Sequence, residues 1–68
     1  MKVENRMAIV LDFLKAHPNQ RFTNKQVREH IGNQIDYPEY MTRYTRYLRE
    51  RREIEYHDGS PLQYWYEY

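Results

Sequence analysis

A chain of 68 residues makes one small domain, spanning 1–68, and without cysteine it has neither a disulfide nor a thiolate metal site to support a thin core. Apolar residues amount to 40% but include eight tyrosines, and no stretch approaches the roughly 20 apolar residues of a membrane span. The formal charge of +1 is segregated. Residues 1–36 hold six Lys/Arg against four Asp/Glu, residues 37–52 hold five arginines against Glu39 and Glu50, and residues 53–68 hold four acids and no Lys or Arg.

The opening Met1-Lys2-Val3-Glu4-Asn5-Arg6 lacks the apolar block of a signal peptide, so an intracellular, cytoplasmic protein is expected. From Val3 to Ala16, Val3, Met7, Val10, Leu11 and Leu14 follow the spacing of a buried helical stripe, widened by Ile9 and Phe13. Pro18 ends that helix. Arg21-Phe22 is long enough only for an extended pair making a single bridge. Thr23 with Gln26 has capping-box spacing and opens a short helix to about Ile31. Val27 and Ile31 point inward there, and Gly32 is its expected C-terminal cap. Asn33–Asp36 reads as a tight connection.

Tyr37-Pro38-Glu39 opens a third helix, with Pro at its first position, Met41, Tyr44, Thr45 and Leu48 facing inward, and an end near Arg51–Arg52. The period then changes from 3.6 to 2. Residues 53–57 alternate as a strand, Asp58-Gly59-Ser60-Pro61 forms the turn, and residues 62–68 return as an aromatic-rich strand.

This is an α+β order of three helices and a C-terminal hairpin, α-β-α-α-β-β, and it resembles the winged helix-turn-helix family. The residues that carry the resemblance are Phe22 through Val27 with Ile31-Gly32, then Tyr37-Pro38, Met41 through Leu48, and Ile54-Glu55-Tyr56 entering the wing. One departure is Arg52, which stands where such domains often carry glycine before the wing strand. The resemblance implies a DNA-binding protein, most simply a transcriptional regulator, whose third helix (about 38–51) enters the major groove of double-stranded DNA. Carried over by position, Glu39, Tyr40, Thr42, Arg43 and Arg46 would face the groove, with Tyr47 and Arg49 beside them; the Thr23-Asn24-Lys25 turn, with free N–H groups at a helix start, and Arg28 are the further expected DNA contacts.

The helical wheel points the same way: residues 39, 43, 46 and 50 lie opposite the Met41/Thr45/Leu48 face. Arginine's planar fork suits the O6/N7 edge of guanine. The same residues also fit an ordinary solvated helix, because Glu39–Arg43 and Arg46–Glu50 are i, i+4 pairs of opposite charge.

The hairpin is acidic where a backbone-gripping wing would be basic. That points either to a wing held off the DNA or to one that faces protein. Tyr64, Trp65, Tyr66 and Tyr68 are the expected interface, with a homodimer formed through this strand, the first helix, or both, unless Trp65 and Tyr66 instead fold over the first helix and complete the core. Two alternatives stand beside the regulator reading: a protein-binding winged-helix adaptor, and an accessory protein that bends DNA in recombination. A lone reading module would suit a viral or plasmid genome.

Enzymatic chemistry finds little support. The single serine, Ser60, lies in the turn with no base arranged around it. His17, His30 and His57 sit in separate elements without ligand spacing, so no metal, cofactor or small-molecule ligand is expected.

Overall fold

In the computed structural model, which describes residues 1–68, the periodic stripe at the start of the chain becomes α1 (Val3–Ala16), with Met7, Val10 and Leu14 buried. The chain turns at Asn19, in left-handed backbone (φ 65°) that asparagine tolerates better than most residues. Thr23 then caps α2 (Asn24–Ile31). Its hydroxyl accepts the Gln26 N–H at 3.1 Å, and its own N–H donates to the Gln26 side chain at 2.9 Å. Val27 and Ile31 are the buried residues of this helix.

Gly32 does not end α2 in the left-handed form expected of a glycine cap. Its φ of −60° and ψ of −28° continue right-handed, and the chain tightens into a 3-10 turn over Gly32–Gln34. The left-handed residue comes later, at Tyr37 (φ 60°), where the chain swings into a second 3-10 turn, Pro38–Tyr40, and then α3 (Met41–Glu50). The connection between the helices is therefore two short turns. It contributes to the core through Ile35, which is buried although the sequence reading gave it no role.

Met41, Tyr44, Thr45 and Leu48 form the buried face of α3. Thr45 is fully enclosed, and its hydroxyl donates to Asn24 Oδ1 at 2.6 Å, with the Met41 and Thr42 carbonyls also within reach at 3.1 and 3.2 Å. This hydrogen bond joins the start of α2 to the middle of α3. The Tyr44 hydroxyl donates to the Tyr37 carbonyl at 3.1 Å and so ties the preceding turn to the same helix.

The end of α3 explains why the strand starts late. Arg52 N–H bonds to the Arg49 carbonyl and Glu53 N–H to the Leu48 carbonyl, both at 3.0 Å, a Schellman motif with Arg52 in the left-handed position (φ 60°). Residues 53 and 54 belong to this corner, and Ile54 is buried beneath it, so β1 is only Glu55–His57. β2 is correspondingly short, Gln63–Trp65, and pairs antiparallel with Glu55 opposite Trp65 and Tyr56 opposite Tyr64. Phe22 bridges the other side of β2 through two bonds to Tyr64, at 2.8 and 2.7 Å.

The core is one cluster of twelve buried apolar residues drawn from the three α-helices, β2 and the connecting residues Phe22, Ile35 and Ile54. Tyr64, expected on an interface, is part of it at 1% exposure, because it faces the helices between Tyr56 and Phe22. No helix is long and apolar enough to cross a membrane.

Ion pairs tie α1 to the loop before the Pro38–Tyr40 turn and to the residue that follows α3. Arg6 holds Asp36 at 2.9 Å, with the N-terminal amino group at 3.3 Å from the same carboxylate, and Arg51 pairs with Glu4. The Arg6 hydrogen bond, aided by the amino terminus, brings the Asp36 carboxyl down to about 2. A lowered folded value means that this contribution is present above 3.8 and is lost as pH falls through about 2.

Asp36→Asn should therefore flatten the acid limb of stability, losing less in melting temperature than the parent between about pH 5 and about pH 2. Arg52→Gly should remove a left-handed side-chain penalty and raise stability by about 1 kcal/mol, read as a higher urea midpoint at unchanged slope.

Candidate nucleic-acid interface

Because the apolar stripe of α3 is buried, the opposite face must look outward. Thr42, Arg43, Arg46 and Glu50 are exposed, while Tyr47 and Arg49 at its edges are half-buried. The i, i+4 pairs that the spacing allows do not form. The three ion pairs of the molecule are those of Asp36 with Arg6 and the N-terminus and of Glu4 with Arg51, so Arg43 and Arg46 meet no carboxylate.

Aromatic rings take the place of acids. The Arg43 guanidinium lies 4.9 Å from the Tyr40 ring centre, Arg46 lies 5.7 Å from Tyr47, and Arg49 lies 4.4 Å from Tyr56 on β1. The choice has an electrostatic consequence. A carboxylate cancels the charge of an arginine and occupies its N–H fork. A ring steadies the flat face of the guanidinium and leaves both the charge and the in-plane donors for another acceptor. The surface so made offers positioned donors to phosphate oxygens or to base edges.

The α2 residues divide into two kinds. Thr23 and Asn24 are occupied internally, one by the capping box and the other by Thr45, so both act mainly to fix the angle between α2 and α3. Lys25 and Arg28 are exposed and unpaired. A Cβ placed on Gly32 would lie 3.4 Å from Arg28 Cγ and 3.5 Å from Pro38 Cβ, ordinary contact distances, so the Arg28 stem and the turn that leads into α3 pass on either side of this glycine.

Two features escaped the sequence reading. Tyr56 had a signal, since the alternation of residues 53–57 placed it on a strand, but its contact with Arg49 depends on how the hairpin folds back. Arg6–Asp36 and Arg51–Glu4 join residues 30 and 47 apart, and no local pattern marks such pairs.

The expected protein interface is reduced in the same way. Trp65 is half-buried beneath Arg21, 4.3 Å from its ring centre, and its indole N–H donates to Glu67 at 2.7 Å. Tyr66 packs on the core with Lys15 above it at 5.6 Å. Of the four residues only Tyr68, 93% exposed, stands free.

The histidines are also rearranged. His17 and His30 converge on Phe13, with ring centres at 4.9 and 5.2 Å, while His57 remains apart on β1. No group of three His, Cys, Asp or Glu side chains could hold a metal ion.

No known protein family, curated protein or solved structure matches this chain.

Thr45→Val keeps the shape of the buried side chain but removes its hydrogen bond to Asn24. It should lower stability by about 1–2 kcal/mol in denaturant titration.

Proposed function

We propose that this chain is a winged helix-turn-helix DNA-binding protein, acting as a transcriptional regulator through α3 in the major groove. One observation carries the reading: Arg43 and Arg46 stand on the outward face of α3, free of every carboxylate and backed by tyrosine rings. An arginine kept unneutralised beside two available glutamates is suited to an anionic partner from outside the molecule. A rod of 10 residues, held at its C-terminal end by the Arg51–Glu4 ion pair and across its middle by Thr45, has the rigidity that groove reading requires.

In this reading Arg43 and Arg46 address base edges, and Lys25, Arg28 and Arg49 meet phosphates. Thr42 and the Tyr40 and Tyr47 hydroxyls fix the register. The acidic tip of the hairpin stays clear of the polyanion. A homodimer would place two such helices on half-sites about one helical turn apart.

A second reading rests on the hairpin. A groove of about 370 Å³ lies between α1 and the hairpin, with Leu11, Ile54 and Tyr66 as its apolar lining and Glu53, Glu55 and Glu67 outnumbering Lys15 and Arg52 among its charged residues. These three carboxylates enter no ion pair, which suits a basic peptide and hence an adaptor role.

A salt-dependent titration against random-sequence duplex separates the two. DNA binding through this face gives a slope of log K on log salt of roughly −0.9 per phosphate neutralised, whereas an adaptor gives a negligible slope. Arg43→Ala and Arg46→Ala should each weaken binding to a selected site by about 1–3 kcal/mol and relax its sequence preference, and Lys25→Ala should weaken all sequences alike. Equal binding by the parent and all three variants would remove the proposal.

A further inference from the structure

Non-glycine residues in left-handed backbone stand at both ends of α3, Tyr37 before it and Arg52 after it. The Schellman cap accounts for Arg52. At Tyr37 the turn into Pro38 needs a left-handed residue, a position that Asn or Gly adopts with less strain. The tyrosine ring is not there to fill the core, since Tyr37 is 54% exposed. Its neighbour Tyr40 is 47% exposed, with the two ring centres 6.2 Å apart. An arginine stands over one face of each ring, Arg6 at 5.1 Å from the centre of Tyr37 and Arg43 at 4.9 Å from that of Tyr40, which leaves the opposite face for a base. Arg6 is already committed to Asp36, whereas Arg43 keeps all its donors.

We infer that the Tyr37–Tyr40 pair is a stacking platform for an unpaired nucleotide, so that the preferred DNA is a duplex interrupted by an extrahelical base. The inference deepens the DNA-binding reading and rests on it. In continuous duplex both faces of every base are covered by neighbouring bases, and an exposed ring can offer only its edge or hydroxyl. A base that has left the stack presents a free π-face. An aromatic surface bordered by an uncommitted arginine matches that nucleotide, ring against base and guanidinium against phosphate. The cation and the ring supply different parts of the recognition, and α3 holds them in one place.

The test compares a continuous duplex with the same duplex carrying one extrahelical 2-aminopurine, read by affinity and by fluorescence quenching. The parent should favour the interrupted duplex by about ten-fold and quench the probe. Tyr37→Phe and Tyr40→Phe should keep that preference, because a phenyl ring stacks as well. Tyr37→Asn and Tyr40→Ala should reduce the ratio towards one. Asparagine suits the left-handed position and keeps the carbonyl that accepts the Tyr44 hydroxyl, so a thermal melt at or above the parent's confirms folding for that variant.

Equal parent affinity for the two duplexes, with a normal salt slope, would overturn the platform and leave DNA binding standing. Loss of the preference in the phenylalanine variants would also overturn it, by assigning the effect to hydroxyl contacts with phosphate. A parent that binds neither duplex would remove the DNA-binding reading and this inference together.

Discussion

The burial of one narrow stripe of α3 organises the rest of the molecule. Met41, Tyr44, Thr45 and Leu48 lie on a single side of a ten-residue helix, and that side meets α1 and α2. With so few core residues available, the helix cannot rotate without exposing Tyr44 or Leu48 to water, each worth about 1.5–3 kcal/mol on burial. The stripe therefore sets the direction of every other side chain on α3. Arg43 and Arg46 point outward because nothing else on the helix can replace the buried set. The surrounding contacts act on the same element: Thr45 holds α2 against its middle, and ion pairs to α1 hold Asp36 in the loop that precedes it and Arg51 directly after it.

Charge is handled differently on the two sides of this helix. Where a cation serves the fold, it is matched with a carboxylate, as in Arg6 with Asp36 and Arg51 with Glu4. The Glu4 carboxyl is accordingly held below its ordinary value by its hydrogen bond from Arg51, as Asp36 is by Arg6. Where a cation faces outward it is matched with an aromatic ring, as for Arg43, Arg46 and Arg49. The high tyrosine content thus has two physical uses. Tyr44 and Tyr64 fill the core, and Tyr40, Tyr47 and Tyr56 support arginines without neutralising them. That division is the physical basis for proposing an external polyanion as the partner of the outer face.

Elements governed by local chemistry were legible in the chain. The 14-residue stripe of α1, the Thr23–Gln26 capping box and the change of period after Arg52 each depend on residues within one or two turns of one another, whereas Pro38, expected to open the third helix, opens the 3-10 turn before it. The inward set Met41, Tyr44, Thr45 and Leu48 follows from the same 3.6-residue spacing, and so does the outward position of Arg43 and Arg46.

Long-range geometry was decided elsewhere. The pattern after Arg52 says strand, but the Schellman corner consumes Glu53 and Ile54 and shortens β1 to three residues. Alternation cannot say which face of a strand a two-sided aromatic run will bury. Phe22 settled it by bridging to Tyr64 from the far side of the sheet. Glycine at 32 has the composition of a left-handed cap, yet the left-handed turn falls on Tyr37, because Ile35 must first reach the core. Opposite charges four residues apart on α3 permit ion pairs, and only the placement of Tyr40, Tyr47 and Tyr56 shows that rings compete successfully for those arginines. The chain by itself therefore determined which helices and turns form and which side of each is apolar, since those follow from contacts a few residues apart. The tertiary structure alone decided which charges are cancelled and which aromatics are covered, since those depend on partners that meet only after distant segments have packed.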